Sequence, residues 1–224
     1  MTKAIFVTAT GTDVGKTYIS ELILKKLRSM ELNAGYYKAA VSGVDILEES
    51  DMGRVKKTAN LNCELSSMVS YVYKNAYSPH LAAKIEGNNL EMDKIKSDWN
   101  SICEKYDYIV VEGSGGIICP LRFDNKKIML EDVVKKLNLS TIVVGDAGLG
   151  TINSTVLTIE YLKSKSIDIK GIVINNYSGG VMQEDNIKMI KELTNIPIIS
   201  IVETNCEDIS IDEDMFLKLF KEVK

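Results

Sequence analysis

Residues 8–17, Thr-Ala-Thr-Gly-Thr-Asp-Val-Gly-Lys-Thr, constrain the fold more than any other part of this sequence. They follow an apolar run at 4–7 and precede apolar residues at helical spacing over 19–27. A strand, a turn rich in small residues, Gly-Lys-Thr and a helix form, in that order, the layout of a phosphate-binding loop. Backbone N–H groups at a helix N-terminus bind anions because the positive end of the peptide dipoles lies behind them. We therefore expect an α/β fold whose first turn binds phosphate.

Two residues of this loop are candidates for direct phosphate chemistry. Lys16 would place a mobile cation at the β- and γ-phosphates of a nucleotide, and Thr17 would offer a hydroxyl to Mg²⁺. The strict pattern has glycine five residues before Gly15, where this chain has Thr10, and the nearest glycine is Gly11. The stretch is therefore a variant phosphate loop, and its alternative is an ordinary turn between a strand and a helix.

The composition is that of a soluble globular protein, and it argues against several function classes. Of the 224 residues, 45% are hydrophobic and 26% are charged, which suits one α/β domain spanning 1–224. The net charge of −4 argues against a nucleic-acid-binding protein. Apolar runs are strand-sized and the N-terminus enters a strand at once, so we expect no membrane span and no signal peptide. Four scattered cysteines without metal-type or disulfide spacing fit a reducing cytoplasm.

Strand and helix patterns alternate along the chain. The sequence predicts strands at 3–8, 36–38, 68–73, 107–112, 141–145, 169–174 and 197–201. It predicts helices at 17–30, 79–86, 91–105, 129–138, 151–164, 182–194 and 212–222. Such alternation implies right-handed crossovers and a doubly wound, mostly parallel sheet flanked by helices. Ligands of such sheets bind beyond the carboxyl ends of the strands, and the polar residues of interest follow the strands there.

An acidic residue at the tip of a buried strand, Glu112, is the second strong signal. A carboxylate there costs free energy to desolvate unless a cation lies beside it. In a nucleotide site Mg²⁺ is that cation, so Glu112 is a candidate magnesium ligand. The glycines that follow, at 113, 115 and 116, let the backbone approach phosphate closely. The alternative is a solvated acid that opens a loop. Asp146 also follows a strand and is a second metal candidate.

Three more polar residues follow a strand or begin a helix, and each has a structural alternative. Lys38 can neutralise charge on a transferring phosphoryl group, or it can be a surface lysine. Asp51 can reach Mg²⁺, or Ser50-Asp51 can simply begin a helix. His80 follows Ser78-Pro79 and is the one histidine of the sequence. It is either a general base or a helix-start residue with a structural hydrogen bond.

Seven short motifs, taken together and in this order, resemble the dethiobiotin synthetases. They are the loop at 8–17, Tyr-Lys at 37–38 with Ser-Gly at 42–43, Ser-Asp at 50–51, Ser-Pro-His at 78–80, Val-Glu-Gly-x-Gly-Gly at 111–116, Leu-Gly-Thr-Ile-Asn at 149–153, and Gly-Ile-Val-Ile-Asn-Asn at 171–176. The motifs cover residues 3–176, and the resemblance extends more loosely to the end. At 201–202 the chain has Ile-Val where the family usually has Ile-Pro, so the base preference stays open.

This resemblance implies an ATP- and Mg²⁺-dependent ligase that acts on 7,8-diaminopelargonate in biotin biosynthesis. An amine of the diamine takes up CO₂, and the carbamate oxygen attacks the γ-phosphate of ATP. The neighbouring amine then captures the carbamic–phosphoric anhydride, which expels phosphate and closes the cyclic urea of dethiobiotin. The resemblance also implies a homodimer.

The resemblance further implies a role for each motif. Lys16 and Lys38 are then the catalytic cations. The magnesium shell is Thr17, Asp51 and Glu112. Ser42 contacts the substrate, while the helix start at Gly150, Thr151 and Asn153 holds its carboxylate across a two-fold interface, although an ordinary turn is the alternative there. The nucleotide contacts are Thr12, Asp13, Val14, Gly15, Lys16, Thr17, Asp51, Glu112, Gly113, Ser114, Gly115, Asn175, Asn176 and Val202. Among these, Asn175 reads the base edge.

Other classes share this kind of sheet and remain alternatives. A nucleotide switch of the plasmid-partition or septum-placement type carries a lysine early in the loop, at the position of Gly11 here, and a basic membrane helix that this chain lacks at its end. A cobyrinate or cobyric-acid amide synthase needs a glutaminase domain, for which the chain is too short. A related enzyme that acts on another amine also fits the motifs.

Overall fold

A computed structural model describes residues 1–223 and has a central sheet with helices packed on both of its faces. The strands are β1 (Lys3–Ala9), β2 (Ala34–Ser42), β3 (Val69–Tyr73), β4 (Tyr108–Glu112), β5 (Pro120–Phe123), β6 (Lys127–Met129), β7 (Ser140–Asp146), β8 (Ile169–Tyr177), β9 (Ile198–Glu203) and β10 (Lys221–Glu222). The helices are α1 (Lys16–Ser29), α2 (Asp51–Thr58), α3 (Pro79–Glu86), α4 (Met92–Cys103), α5 (Leu130–Lys136), α6 (Thr151–Ser164), α7 (Val181–Thr194) and α8 (Glu213–Lys218).

Seven strands of the sheet run parallel in the order β3-β2-β4-β1-β7-β8-β9. The prediction of a doubly wound, mostly parallel sheet is therefore confirmed. Apolar side chains alternate between two cores, one on each face, because successive residues of a strand point to opposite faces. Tyr36 and Tyr37 illustrate this alternation, since they are neighbours on β2 but belong to different cores.

The order of the strands positions the polar residues named above. It places β4 between β2 and β1, so the residues that end these three strands meet at one edge of the sheet. Lys38 lies on β2, Glu112 ends β4, and β1 leads into the loop at 10–15. The register supports this, because Tyr36 pairs with Val110 and the two strands advance in parallel from there.

The predicted helix at 212–222 is wrong in its last four residues. Helix α8 ends at Lys218, and the chain then forms β10, which pairs antiparallel with β1 through Lys3 and Ala4. Strand β7 begins to pair with β1 only at Ile5, so β10 gives partners to backbone groups that β7 leaves unpaired. A buried backbone group without a partner costs free energy, which favours the strand over another helical turn.

The sequence prediction also missed the hairpin of β5 and β6, a separate two-stranded sheet. Strand β2 is longer than the predicted 36–38, since it begins at Ala34 and ends at Ser42. The helix that Ser50-Asp51 was expected to open is present as α2, and Ser50 Oγ accepts a hydrogen bond from Gly53 N at 3.5 Å. The other predicted strands and helices agree with the structure to within three residues at each end.

Among residues 1–223, no helix combines the length and the apolar content that crossing a membrane requires.

Candidate functional site

A cleft of about 960 Å³ opens at the carboxyl ends of the strands, where ligands of doubly wound sheets bind. Most of the predicted site residues line it, namely Thr12, Asp13, Gly15, Lys16, Thr17, Lys38, Ser42, Asp51, Glu112, Gly113, Ser114, Gly115, Asn175 and Asn176. Val14, Val202, Gly150, Thr151 and Asn153 do not line it. The structure thus brings together residues that lie up to 164 positions apart, from Thr12 to Asn176.

The loop at 10–15 leaves the N-terminus of α1 open toward this cleft. Gly15 caps the helix with φ 100°, and no side chain accepts from the first N–H groups of the helix. Such uncapped N–H groups are the donors that phosphate uses. Lys16 Nζ donates to Gly11 O across the loop at 3.0 Å. Burial lowers the pKa of Lys16, even though Glu112 opposes that shift.

Glycine at position 15 is also required by its neighbour from β8. A Cβ built on Gly15 would lie 2.2 Å from Asn175 Nδ2, closer than any real contact. The positive φ of Gly15 is a second reason why other residues are disfavoured there. Asn175 Nδ2 donates to Val14 O at 3.0 Å and so holds the loop against β8.

Thr17, Lys38, Asp51 and Glu112 form what we call the charged cluster. Lys38 Nζ lies 3.0 Å from Glu112 Oε1 and 3.4 Å from Asp51 Oδ2. Thr17 Oγ1 donates to the same two oxygens, at 2.8 Å and 3.2 Å respectively. Lys38 is only 4% exposed and Glu112 only 2%, so neither is a surface residue. The alternatives of a surface lysine and a solvated acid are therefore wrong.

Electrostatics keep the buried lysine of the charged cluster protonated. Burial by itself lowers the pKa of Lys38, but the carboxylates of Glu112 and Asp51 outweigh it and raise that pKa above the ordinary value. The other oxygen of Glu112, Oε2, accepts a hydrogen bond from Tyr36 at 2.6 Å. Burial, followed by the charge of Glu112, raises the pKa of Tyr36 well above its ordinary value, so the phenol stays a donor.

The donor set of the charged cluster fits Mg²⁺. Two carboxylates and a hydroxyl offer oxygen atoms, which this hard cation prefers. Within residues 1–223, no three His, Cys, Asp or Glu side chains are grouped so that they can hold a metal ion. Protein sites of this sparse kind suit Mg²⁺, because it keeps several waters and takes its remaining ligands from substrate phosphates.

The loop after β4 and the end of β2 form the wall next to the charged cluster. Ser114 Oγ donates to Ala40 O at 2.7 Å and ties this loop to β2. Gly115 has φ 65°, which allows the loop to turn. Ser42 Oγ is buried and has no hydrogen-bond partner among residues 1–223. Because Ser42 lines the cleft, its hydroxyl is a candidate ligand contact.

The opposite end of the cleft is built from β8 and from the segment after β9. Asn175 Oδ1 is buried and has no partner in the described part of the chain. Asn176 Nδ2 donates to Asp146 Oδ2 at 2.8 Å, and Asp146 Oδ1 accepts from Gly148 N at 2.7 Å. Asp146 does not line the cleft and instead joins the turn after β7 to the end of β8. Val202 is buried in the core, and Thr204 and Asn205 line the cleft in its place.

Gly150 and Asn153 line a second depression, of about 460 Å³, at the start of α6, whereas Thr151 is not part of its lining. We call it the apolar groove; it is lined by Leu149, Gly150, Ile152, Asn153, Val156, Leu157, Asn186 and Leu193. Its leucines are unusually open, since Leu149 is 91% exposed, Leu157 62% and Leu193 53%. Thr151 is buried, with its hydroxyl 3.4 Å from that of Thr155. Asn153 is exposed.

His80 lies at the start of α3, and Tyr18, Arg54 and Tyr36 are three residues of the site that the sequence did not predict. His80 Nδ1 lies 2.9 Å from Ser78 Oγ at the start of α3, and the ring does not line the cleft. This geometry matches the helix-start alternative. Tyr18 and Arg54 line the cleft, and Arg54 Nε donates to Glu21 Oε1 at 2.5 Å. The buried hydroxyl of Tyr36 donates to Glu112 Oε2 from inside the protein, a contact that no local pattern in the sequence indicates.

Comparison with known proteins supplies the family. A model of the AAA domain family matches residues 3–208. A relative from Brachyspira hyodysenteriae is 54% identical over 204 residues, which span 90% of this chain and 92% of the relative. Another, from Clostridium botulinum strain Eklund 17B, is 46% identical over 99% of this chain and 98% of its own. Both are named ATP-dependent dethiobiotin synthetase BioD.

The chain belongs to the ATP-dependent dethiobiotin synthetase family. It is accordingly an ATP-dependent ligase of biotin biosynthesis, and the resemblance drawn from the seven motifs is confirmed. Among solved structures, the MinC:MinD complex of Aquifex aeolicus is 14% identical, with a TM-score of 0.56 over 96% of this chain and 86% of its own. A ParA family ATPase from Chlorobium tepidum is 15% identical, with a TM-score of 0.57 over 96% and 88%. At such low identity these structures show a shared fold and nothing about a shared function.

Proposed function

We propose that the chain is a homodimer in the cytoplasm that converts 7,8-diaminopelargonate, CO₂ and MgATP into dethiobiotin, ADP and phosphate. The observation that carries this proposal is the charged cluster, which lies in the same cleft as the phosphate loop. Phosphoryl transfer to a carbamate needs alignment and charge neutralisation more than covalent chemistry. Two buried lysines and two carboxylates in one cleft suit that requirement.

The phosphate loop binds the triphosphate of ATP. The uncapped N–H groups at the start of α1, together with Thr12 and the amides at 13–15, receive the phosphate oxygens. Lys16 supports the negative charge that develops on the transferring group. Its bond to the neutral carbonyl Gly11 O is weaker than a bond to an anionic phosphate oxygen, so exchanging one for the other is favourable.

Lys38 holds the carbamate and the γ-phosphate in register. Its ammonium is already desolvated by burial, so little rearrangement of water accompanies its contact with substrate oxygens. Thr17, Asp51 and Glu112 would hold Mg²⁺, which when bound neutralises charge on the phosphates. The orphan hydroxyl of Ser42 donates to the carbamate. No protein nucleophile is required for this chemistry.

The carboxylate end of the diamine is held by Gly150, Thr151 and Asn153 of a second copy of the chain. All three residues lie outside the cleft, and Gly150 and Asn153 line the apolar groove, so they reach a substrate only across an interface. The start of α6 has no side-chain cap; Thr151 N donates to Gly148 O at 3.3 Å, and the next two N–H groups of the helix suit a carboxylate. Leucines as exposed as Leu149 and Leu157 favour burial against another copy.

Turnover with the proposed substrates tests this function. The purified chain is incubated with 7,8-diaminopelargonate, bicarbonate, MgCl₂ and ATP, and both released phosphate and product mass are followed. We expect phosphate release that depends on the diamine, with a cyclic urea of matching mass. Phosphate release that ignores the diamine would contradict the proposal and favour a nucleotide switch or another acceptor.

A second run with other nucleotides tests the role of Asn175. Its Nδ2 atom is committed to Val14 O, so the free Oδ1 is left to accept from the base. Adenine and cytosine both present an exocyclic amino group to such an acceptor, whereas guanine presents a carbonyl oxygen at the matching edge. We therefore expect ATP and CTP to support turnover better than GTP does. Equal turnover with GTP would contradict base reading by Asn175.

A further inference from the structure

Glu112 uses its two carboxylate oxygens in two different ways. Oε1 faces the cleft, where it accepts from Thr17 at 2.8 Å and lies 3.0 Å from Lys38 Nζ. Oε2 accepts from the hydroxyl of Tyr36 at 2.6 Å, and Tyr36 is 0% exposed. One oxygen is therefore available to a ligand in the cleft, and the other is held from inside the protein.

The strand geometry explains why Tyr36 reaches this oxygen. Tyr36 pairs with Val110 in the parallel register of β2 and β4, so the two residues lie side by side. Glu112 lies two residues beyond Val110, and Lys38 lies two residues beyond Tyr36, so all four side chains share one face. The long tyrosine side chain spans the offset to Glu112, and Lys38 approaches the same carboxylate from further along the strand.

We propose that Tyr36 is a positioning residue, whose hydroxyl fixes the rotation of the Glu112 carboxylate so that Oε1 points at Thr17, Lys38 and the magnesium ion of the bound nucleotide. The proposal rests on the role of Glu112 proposed above. The terminal torsion of glutamate is broad, so packing alone does not select one orientation of its carboxylate. A hydrogen bond to one oxygen makes that selection, and such outer partners of metal ligands typically contribute about 10–100-fold to metal affinity.

The neighbouring residue offers a matched control. Tyr37 is also 0% exposed, and its hydroxyl lies 2.6 Å from Ser70 Oγ. Because it points to the opposite face of β2, it packs in the other core, where its hydroxyl contacts Ser70 Oγ and Ile95 O instead of Glu112. Tyr37→Phe thus removes a buried tyrosine hydroxyl of the same strand without touching the charged cluster.

Calorimetric titration with a non-hydrolysable ATP analogue tests the proposal, with one series in MgCl₂ and one in EDTA. We expect Tyr36→Phe to reduce the gain in affinity that magnesium brings by about 10-fold, while affinity in EDTA is unchanged. Tyr37→Phe should alter neither value. Both variants should lose thermal stability, because each gives up the hydrogen bonding of a buried tyrosine hydroxyl.

Two outcomes would overturn the proposal. One is a magnesium dependence of Tyr36→Phe that equals that of Tyr37→Phe. The other comes from the double variant with Glu112→Gln: if Tyr36→Phe weakens magnesium-dependent binding as much in that background as in the native chain, it does not act through Glu112. If Glu112→Gln alone leaves the magnesium dependence intact, the role of Glu112 in the proposed function is wrong, which is a separate result.

Discussion

The charged cluster and the apolar groove lie on opposite sides of β1. They differ in whether a single chain supplies every partner that their side chains need. The charged cluster follows β2 and β4, and each of its charges has a partner at 3.4 Å or less. The apolar groove follows β7 and leaves Leu149 and Leu157 mostly in solvent. The chain therefore prearranges by itself the charges for the proposed phosphoryl transfer, but leaves a surface beside its proposed carboxylate site that a second copy would cover.

This difference follows from the free energies involved. A buried charge without a partner costs several kcal/mol, so a single chain must pair its charges internally in order to fold. Exposed leucines cost little in an isolated chain and stabilise an interface when they become buried, by roughly 25 cal/mol per Å² of apolar area. A single chain can thus arrange the catalytic charges, while recognition of the substrate's carboxylate can depend on an interface between two copies.

The largest expected effect tests whether charge in the cleft drives the chemistry. Lys16→Gln removes a cation from the phosphates, so we expect turnover to fall by about 10²–10³-fold. Steady-state release of phosphate measures this. Lys25→Gln, on the same helix α1 but outside the cleft, is the control and should keep normal turnover. Near-normal turnover of Lys16→Gln would refute its role.

The next effect tests whether the charged cluster acts in catalysis as well as in the fold. Lys38→Leu should lower kcat by about 10²-fold while the affinity for MgATP stays within about 3-fold, because Lys38 acts on the transferring group. It should also lower the free energy of unfolding, by roughly 3 kcal/mol, since Glu112 loses its buried partner. Urea unfolding and calorimetry measure these quantities. Lys135→Leu, on the exposed surface of α5, serves as the control. Loss of binding with unchanged kcat would contradict the assignment.

A smaller effect is expected at the apolar groove. Leu157→Asp places a charge among the exposed leucines, so we expect dissociation of the proposed dimer to become at least about 10-fold easier, with KM for the diamine raised more than kcat is lowered. Light scattering over a range of concentrations measures the mass. Glu160→Ala, exposed on the same helix, should leave the dimer intact. An unchanged mass for Leu157→Asp would remove the contrast between the two regions.

The smallest effect is expected at Cys119, a side chain that lines the cleft but that we expect to take no part in the chemistry. Burial raises the pKa of Cys119 to about 11, so at pH 8 only about one thiol in a thousand is the reactive thiolate. Alkylation by iodoacetamide should therefore be slow at pH 8 and rise about tenfold per pH unit toward pH 11. Cys119→Ser should keep turnover within about 2-fold. A folded but inactive variant would mean that this thiol has a function.

The sequence predicted best those features that lie close together along the chain. The phosphate loop is a contiguous motif, and the acid at the tip of a buried strand carries its own signal, because only a partner makes it tolerable there. The burial of Lys38 was harder to foresee, since a lysine at a strand end is ordinary until its partners are known. Its partner Glu112 comes from a strand 74 residues away in sequence.

Features that depend on distant pairing were missed. Tyr36 and Glu112 are 76 residues apart, and only the register of β2 against β4 joins them. The residues of β10 come shortly after a helical pattern in the sequence. They form a strand because the start of β1 would otherwise lack a partner on that side. The hairpin of β5 and β6 has strands of four and three residues, too short for their periodicity to be recognised.

The short strand β10 has a consequence for how the molecule opens. Strand β4 pairs with one edge of β1. On the other edge β10 pairs with Lys3 and Ala4, and β7 pairs from Ile5 onward, so β1 has a neighbour on both sides from Lys3 to Val7. Hydrogen exchange slows where an amide is released only by opening of the whole domain, and β1 meets that condition. The loop that receives the nucleotide is thus attached to a segment whose amides should be among the last to exchange with solvent.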